Sequence, residues 1–168
     1  PLWFKKNKEE AKLSLNRQLV INLDSGYKNH HRMLQYAIRN SAKDSSPVFL
    51  MTHLFDAHEP FIYNEDGSLY FADGLHAEAN TRYIPQLLYS NSILSSLIDS
   101  IQLNNQRDYV IILQGDHGFK FDENDSLFDK ESCSTLFAVY YKNGEYRSWP
   151  NQFTSVNSFR ILFNDKFK

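Results

Sequence analysis

Asp116 and His117 stand side by side in the run Gln114-Gly115-Asp116-His117-Gly118, directly after the apolar residues Tyr109 to Leu113. A carboxylate oxygen and an imidazole nitrogen suit Zn²⁺ or Mn²⁺ better than Ca²⁺, which takes an all-oxygen shell, or Mg²⁺, which keeps much of its water. Successive side chains of a strand point to opposite faces, so the flanking glycines are expected to allow a sharp turn in which both groups converge on one ion. An Asp-His-Gly triplet alone also reads as a capped turn with a surface histidine. Its place at the end of a buried strand favours the metal.

A second cluster is His53-Leu54-Phe55-Asp56-Ala57-His58-Glu59, with two imidazoles and two carboxylates within a few residues. It follows the apolar run Pro47 to His53, which has strand length. In a parallel sheet the carboxyl ends of both strands emerge on one edge, so His58 is expected to face Asp116 and His117 across a common pocket. A histidine beside a metal can hydrogen-bond a phosphoryl or sulfuryl oxygen, or protonate a leaving alkoxide. His53 reads as a core histidine at a strand terminus, whereas Asp56 and Glu59 fit a site or a turn equally well. Phe61, Tyr63, Tyr70 and Phe71 either line a cleft or cover a core edge.

The elements that must position these groups follow from periodicity. Residues 17–23 read as a short buried strand, Asp24-Ser25-Gly26 as a turn, and Tyr27 to Ala42 as a helix. From Asn80 to about Leu103 the residues Ile84, Leu87, Leu88, Leu94, Leu97, Ile98 and Ile101 recur at helical spacing, which predicts a long amphipathic helix packed on a sheet. Tyr109 to Leu113 and Thr135 to Tyr141 read as strands, and Ser155 to Phe163 as a terminal helix or strand. Strand, long helix, strand is the order of a right-handed parallel crossover. The expected architecture is α/β, a layered sandwich with a mainly parallel sheet flanked by helices, in a single domain over residues 1–168.

Composition narrows the function classes. The hydrophobic content of 42% supports one core, and no internal repeat or low-complexity tract interrupts it. A formal charge of -2, with dispersed Lys and Arg, argues against a nucleic-acid partner and against a polybasic membrane patch. No apolar run approaches the roughly 20 residues that span a bilayer, so direct membrane insertion by these residues is not expected. Cys133 is the single cysteine, which rules out an intramolecular disulfide; with no nearby histidine in sequence it makes a poor nucleophile. The acidic run Asp122-Glu123-Asn124-Asp125 lacks the ligand spacing of a Ca²⁺ loop and reads as solvated. A start at Pro1 suggests that an upstream part was removed.

Taken in order, HLFDAHEPF (53–61), YIPQLLYSNSILSSLIDSI (83–101), VIILQGDHG (110–118), TLFAVYY (135–141) and SVNSFRILFN (155–164) resemble the C-terminal half of sulfatase-like proteins of the alkaline phosphatase superfamily. That group includes lipoteichoic acid synthases and phosphoethanolamine transferases. The resemblance runs from about Pro47 to Lys168 and weakens upstream. It implies the C-terminal half of an alkaline-phosphatase-like fold, a fragment of a larger catalytic domain, and one divalent metal ion bound in part by Asp116 and His117. The histidine of the family's His-x-Pro-aromatic loop, which contacts the substrate's phosphate or sulfate, matches His58.

The family's nucleophile motif, an early metal-binding acid followed by Thr, Ser or Cys-x-Pro-x-Arg, has no match before Pro47. Ser25 beside Asp24 lies too close to the later motifs to replace it. Because His117 is the last histidine, one metal is expected rather than two, and in a fragment that site can be empty. The chain therefore reads as part of a metal-dependent sulfuric or phosphoric ester hydrolase or phospho-group transferase. Its partners would be a phosphate or sulfate ester and the missing N-terminal half, and the parent would be membrane-anchored with an extracytoplasmic domain. The alternative is a noncatalytic remnant or anion-binding module of the same fold.

Overall fold

Forty residues, Leu2–Ser41, form one α-helix, α1, including the stretch 17–23 and the triplet Asp24-Ser25-Gly26 that read as strand and turn. The reason lies in the burial period. Val20, Asp24, Leu34 and Ile38 are buried, with Leu23, Tyr27 and His31 half-buried between them, a stripe at intervals of three and four along one face. Only a helix presents that set together. A glycine inside a helix costs about 1 kcal/mol relative to alanine, which this packed stripe outweighs at Gly26.

The computed structural model describes residues 2–71, 79–119, 128–144, 149–150 and 153–166. They fall into two units, Pro1–Asn105 and Gln106–Lys168. In the first, α1 packs against α2, Ala79–Asn104, which matches the helix expected from Asn80 to Leu103. Its buried face differs from expectation, however: Ile84 and Leu88 are exposed, while Gln86 is fully buried. Two apolar clusters hold the unit together. One joins Val20, Ile62 and Tyr63 with Leu23, Tyr27, Leu69 and Tyr89. The other joins Leu34, Ile38 and Leu97 with Leu54, Ile93 and Ile101. Burying each Val, Leu or Ile side chain contributes about 1.5–3 kcal/mol.

The run Pro47 to His53 is not a strand: it forms no ladder, and Val48, Phe49, Leu50 and Met51 are exposed. Apolar composition was its only strand signal, and a strand needs a neighbour that accepts its backbone hydrogen bonds. Farther on, a small antiparallel turn closes between Tyr63 and Leu69. Asn64 N–H donates to Ser68 O over 2.9 Å and Tyr70 N–H to Ile62 O over 2.7 Å. Gly67, at φ 80°, takes the left-handed position that this turn requires.

In the second unit, β1, Val110–Gln114, and β2, Phe137–Tyr141, pair antiparallel, with Ile112 opposite Val139. The short helix α3, Phe128–Cys133, stands between them in sequence. A single 3₁₀ turn, Ser155–Asn157, leads into α4, Ser158–Lys166, so the terminal segment is helical. Helix and strand both occur, as the α/β reading expects. The neighbour of β1 among the described residues is β2, and the parallel crossover partner before α2 is not formed there. The acidic run 122–125 lies outside the described residues.

Candidate functional site

Asp116 and His117 occupy the turn that leaves β1. That turn is attached by its backbone at both ends: Gly115 N–H donates to Leu136 O over 2.9 Å, and Gly118 N–H to Ser132 O over 2.8 Å. Gln114, the last residue of β1, accepts a 2.9 Å hydrogen bond from Ser158 Oγ at the start of α4. The sharp turn expected of the flanking glycines does not draw on a glycine-only conformation at Gly115. That residue has no left-handed φ, and a Cβ there would meet its nearest neighbour, Leu136 N, at an ordinary 3.5 Å.

Within the turn, His117 Nδ1 lies 2.8 Å from Gly118 O. A carbonyl only accepts, so Nδ1 carries the proton and the lone pair of the neutral ring sits on Nε2. Nε2 lies 3.9 Å from Asp116 Oδ2, and the side chains are 38% and 70% exposed. The backbone N–H of His117 donates to Asp116 Oδ1 over 3.0 Å, which orients the carboxylate. Nitrogen and oxygen donors at this separation fit two positions around a divalent ion with bonds of about 2.0–2.2 Å, after a small side-chain rotation. Among the described residues no third His, Cys, Asp or Glu joins them. The pair is thus a partial donor set of a kind that fits Zn²⁺ or Mn²⁺.

His58 belongs to the first unit, in the irregular segment between Leu54 and Tyr63. It is exposed, its N–H donates to Phe55 O over 3.0 Å, and its Nδ1 lies 2.7 Å from Glu59 O. By the same logic as at His117, its neutral lone pair is on Nε2. The peptide bond between Glu59 and Pro60 is cis. His53 is not a core residue; it is exposed and its ring stacks on Phe55 at 4.4 Å. Asp56 is a turn residue, in the turn that the His58 N–H closes onto Phe55 O, but a buried one, and its Oδ1 lies 2.7 Å from His31 Nε2. Phe61 and Tyr63 are buried in the core, while the Tyr70 ring lies 3.8 Å beneath the Arg82 guanidinium.

Contacts that the sequence did not reveal surround this segment. The Tyr63 hydroxyl donates to Asp24 Oδ1 over 2.8 Å, and Lys28 Nζ donates to Asp24 Oδ2 over 2.9 Å. Burial first, and the bond to Asp24 next, push the Tyr63 hydroxyl far above the usual phenol range. It therefore remains a donor throughout the working pH range. Burial likewise raises Tyr27, Tyr83 and Tyr89. The missed signal was spacing: Asp24 and His31 share the stripe that carries Val20, Leu34 and Ile38. Ser25, the adjacent hydroxyl, is exposed in the middle of α1. Cys133 ends α3 and is exposed.

The family model described as Sulfatase matches residues 2–167. No curated protein and no solved structure matches the chain. Among the described residues, no helix is long and apolar enough to cross a membrane.

Proposed function

The chain belongs to the sulfatase family, and from that premise we propose that Asp116 and His117 supply two ligands to a catalytic divalent ion while His58 contacts the oxygens of the ester under attack. The family acts on sulfate esters. The observation that carries the reading is the pair at the carboxyl end of β1, with its imidazole held in the tautomer that offers Nε2.

A bound divalent ion would add positive charge beside the ester oxygens and lower the pKa of the attacking group. His117, fixed through Nδ1, offers a directed nitrogen, and Asp116 a carboxylate held by the next backbone N–H. His58 is held at Nδ1 by Glu59 O. Its Nε2, when protonated, donates to a developing oxyanion or to the leaving oxygen. The nucleophile is proposed to come from chain beyond residues 1–168, since no family nucleophile motif precedes Pro47; Ser25 stands in the middle of a long helix and not at a strand end. Sulfate and phosphate esters both suit these groups, as does the transferase chemistry of the lipoteichoic acid synthases. By the same resemblance the parent protein is read as membrane-anchored, with its catalytic domain outside the cytoplasm and a mainly parallel sheet completed by further chain.

Mn²⁺ titrated into the ¹⁵N-labelled chain is expected to broaden the His117 ring signals before those of the other five histidines. Broadening centred on another histidine overturns the metal assignment. In the full-length protein, His58→Ala is expected to lower kcat/KM for an aryl sulfate or aryl phosphate by about 100-fold or more. Unchanged turnover removes His58 from the chemistry.

A further inference from the structure

The exposed segment carrying His58 has two buried feet, and one side chain reaches both. Gln86 is fully buried. Its Nε2 donates to the carbonyl of Asp56, two residues before His58, and its Oε1 accepts the N–H of Tyr63, five residues after, over 2.9 Å. The same stripe of α2 continues one turn to either side. Ser90 Oγ lies 2.8 Å from Asp56 O, and Arg82 donates to Tyr63 O over 2.9 Å and to Asn64 Oδ1 over 2.8 Å. Residues 82, 86 and 90, spaced one helical turn apart, thus bind backbone groups that no strand pairs.

We propose that Gln86 is a positioning residue for His58, fixing both feet of the segment Asp56–Tyr63 so that the His58 imidazole is presented in one orientation. This rests on the reading of His58 as the ester-contacting residue. Chemistry explains why the position takes an amide. A carbonyl at one foot needs a donor and an N–H at the other needs an acceptor, and among side chains of this length only glutamine supplies both without charge. Leucine or methionine would leave the Tyr63 N–H buried and unpaired and Asp56 O with the Ser90 hydroxyl alone, and glutamate would turn an acceptor toward Asp56 O. The feet have separate anchors as well, Asp56 through His31 and Tyr63 through Asp24, whereas the Gln86 amide binds both feet at once.

The tautomer of His58 reports the segment's conformation without requiring activity. With Nδ1 donating to Glu59 O, the neutral ring is expected as the Nδ1–H form, which long-range ¹H–¹⁵N correlation spectra distinguish from the commoner Nε2–H form. Gln86→Leu is expected to convert most of the His58 signal to Nε2–H. Leu97→Ala, which loosens the other apolar cluster, is expected to leave it unchanged. Gln86→Asn retains the amide but is one methylene too short to reach both feet, and it provides the test if Gln86→Leu does not fold. A folded Gln86 variant with the wild-type tautomer overturns the proposal.

In the full-length protein, Gln86→Asn is also expected to lower kcat/KM for an aryl ester about tenfold. If His58→Ala leaves turnover intact, the functional reading fails, and the proposal fails with it whatever the tautomer shows. If His58→Ala abolishes turnover while Gln86→Asn changes neither tautomer nor kcat/KM, the positioning role alone is wrong.

Discussion

The segment around His58 and the turn around Asp116 are held by opposite means. Side chains anchor the first: Gln86, Ser90 and Arg82 from α2, and Asp24 and His31 from α1, all reach into it. Backbone anchors the second, through the Gly115–Leu136 and Gly118–Ser132 hydrogen bonds, while the Asp116 side chain is 70% exposed and that of His117 38%. A loop fixed by side chains is sensitive to substitutions far from it in sequence. A turn fixed by backbone keeps its shape through most substitutions and loses only the chemistry of the residue replaced.

The largest effect that sharpens this contrast lies at the exposed turn. His117→Ala is expected to weaken Zn²⁺ or Mn²⁺ binding by about 100-fold or more, measured by calorimetry. The melting temperature of the metal-free protein should hardly move, because exposed substitutions stay within about 0.5 kcal/mol. A large loss of stability would show that the turn is held by its side chains after all.

Near the His58 segment the order reverses, with stability responding first. Gly67→Ala forces a non-glycine residue into φ 80° and places a Cβ 2.5 Å from the Tyr89 ring, which packs on Tyr63. A loss of about 3 kcal/mol in urea unfolding is expected. Tyr63→Phe leaves Asp24 buried without its 2.8 Å hydroxyl donor and is expected to cost about 1–3 kcal/mol, with metal affinity unchanged. Gly115→Ala meets only ordinary contacts and is expected to change metal affinity by less than about threefold. A collapse of binding there would restore the glycine-dependent turn.

The smallest effect is a pH response at the Tyr63–Leu69 turn. The Ser68 hydroxyl and backbone N–H, at 2.6 and 2.9 Å, hold the Asp66 carboxyl below the usual range. A depressed folded-state pKa contributes stability that is present above the unfolded pKa and lost as pH falls through the folded one. Ser68→Ala should raise the Asp66 pKa in an NMR titration and move that acid loss to higher pH.

The sequence by itself determined the candidate chemistry and the elements with strong local signals. Asp116, His117 and His58 are candidates by residue type and by their place after apolar runs, and α2, β1 and β2 are legible from length and period. Pattern misled where local signals were ambiguous. Asp24-Ser25-Gly26 looks like a turn, yet the burial stripe from Val20 to Ile38 carries the helix through it, and Pro47 to His53 has a strand's composition without a strand's partner. Tertiary structure alone decided that Gln86, a polar residue on a helix read for its leucines, is the most deeply buried side chain near His58. A buried polar group is determined by what it must satisfy, and the backbone atoms of Asp56 and Tyr63 come within its reach only when the chain has folded.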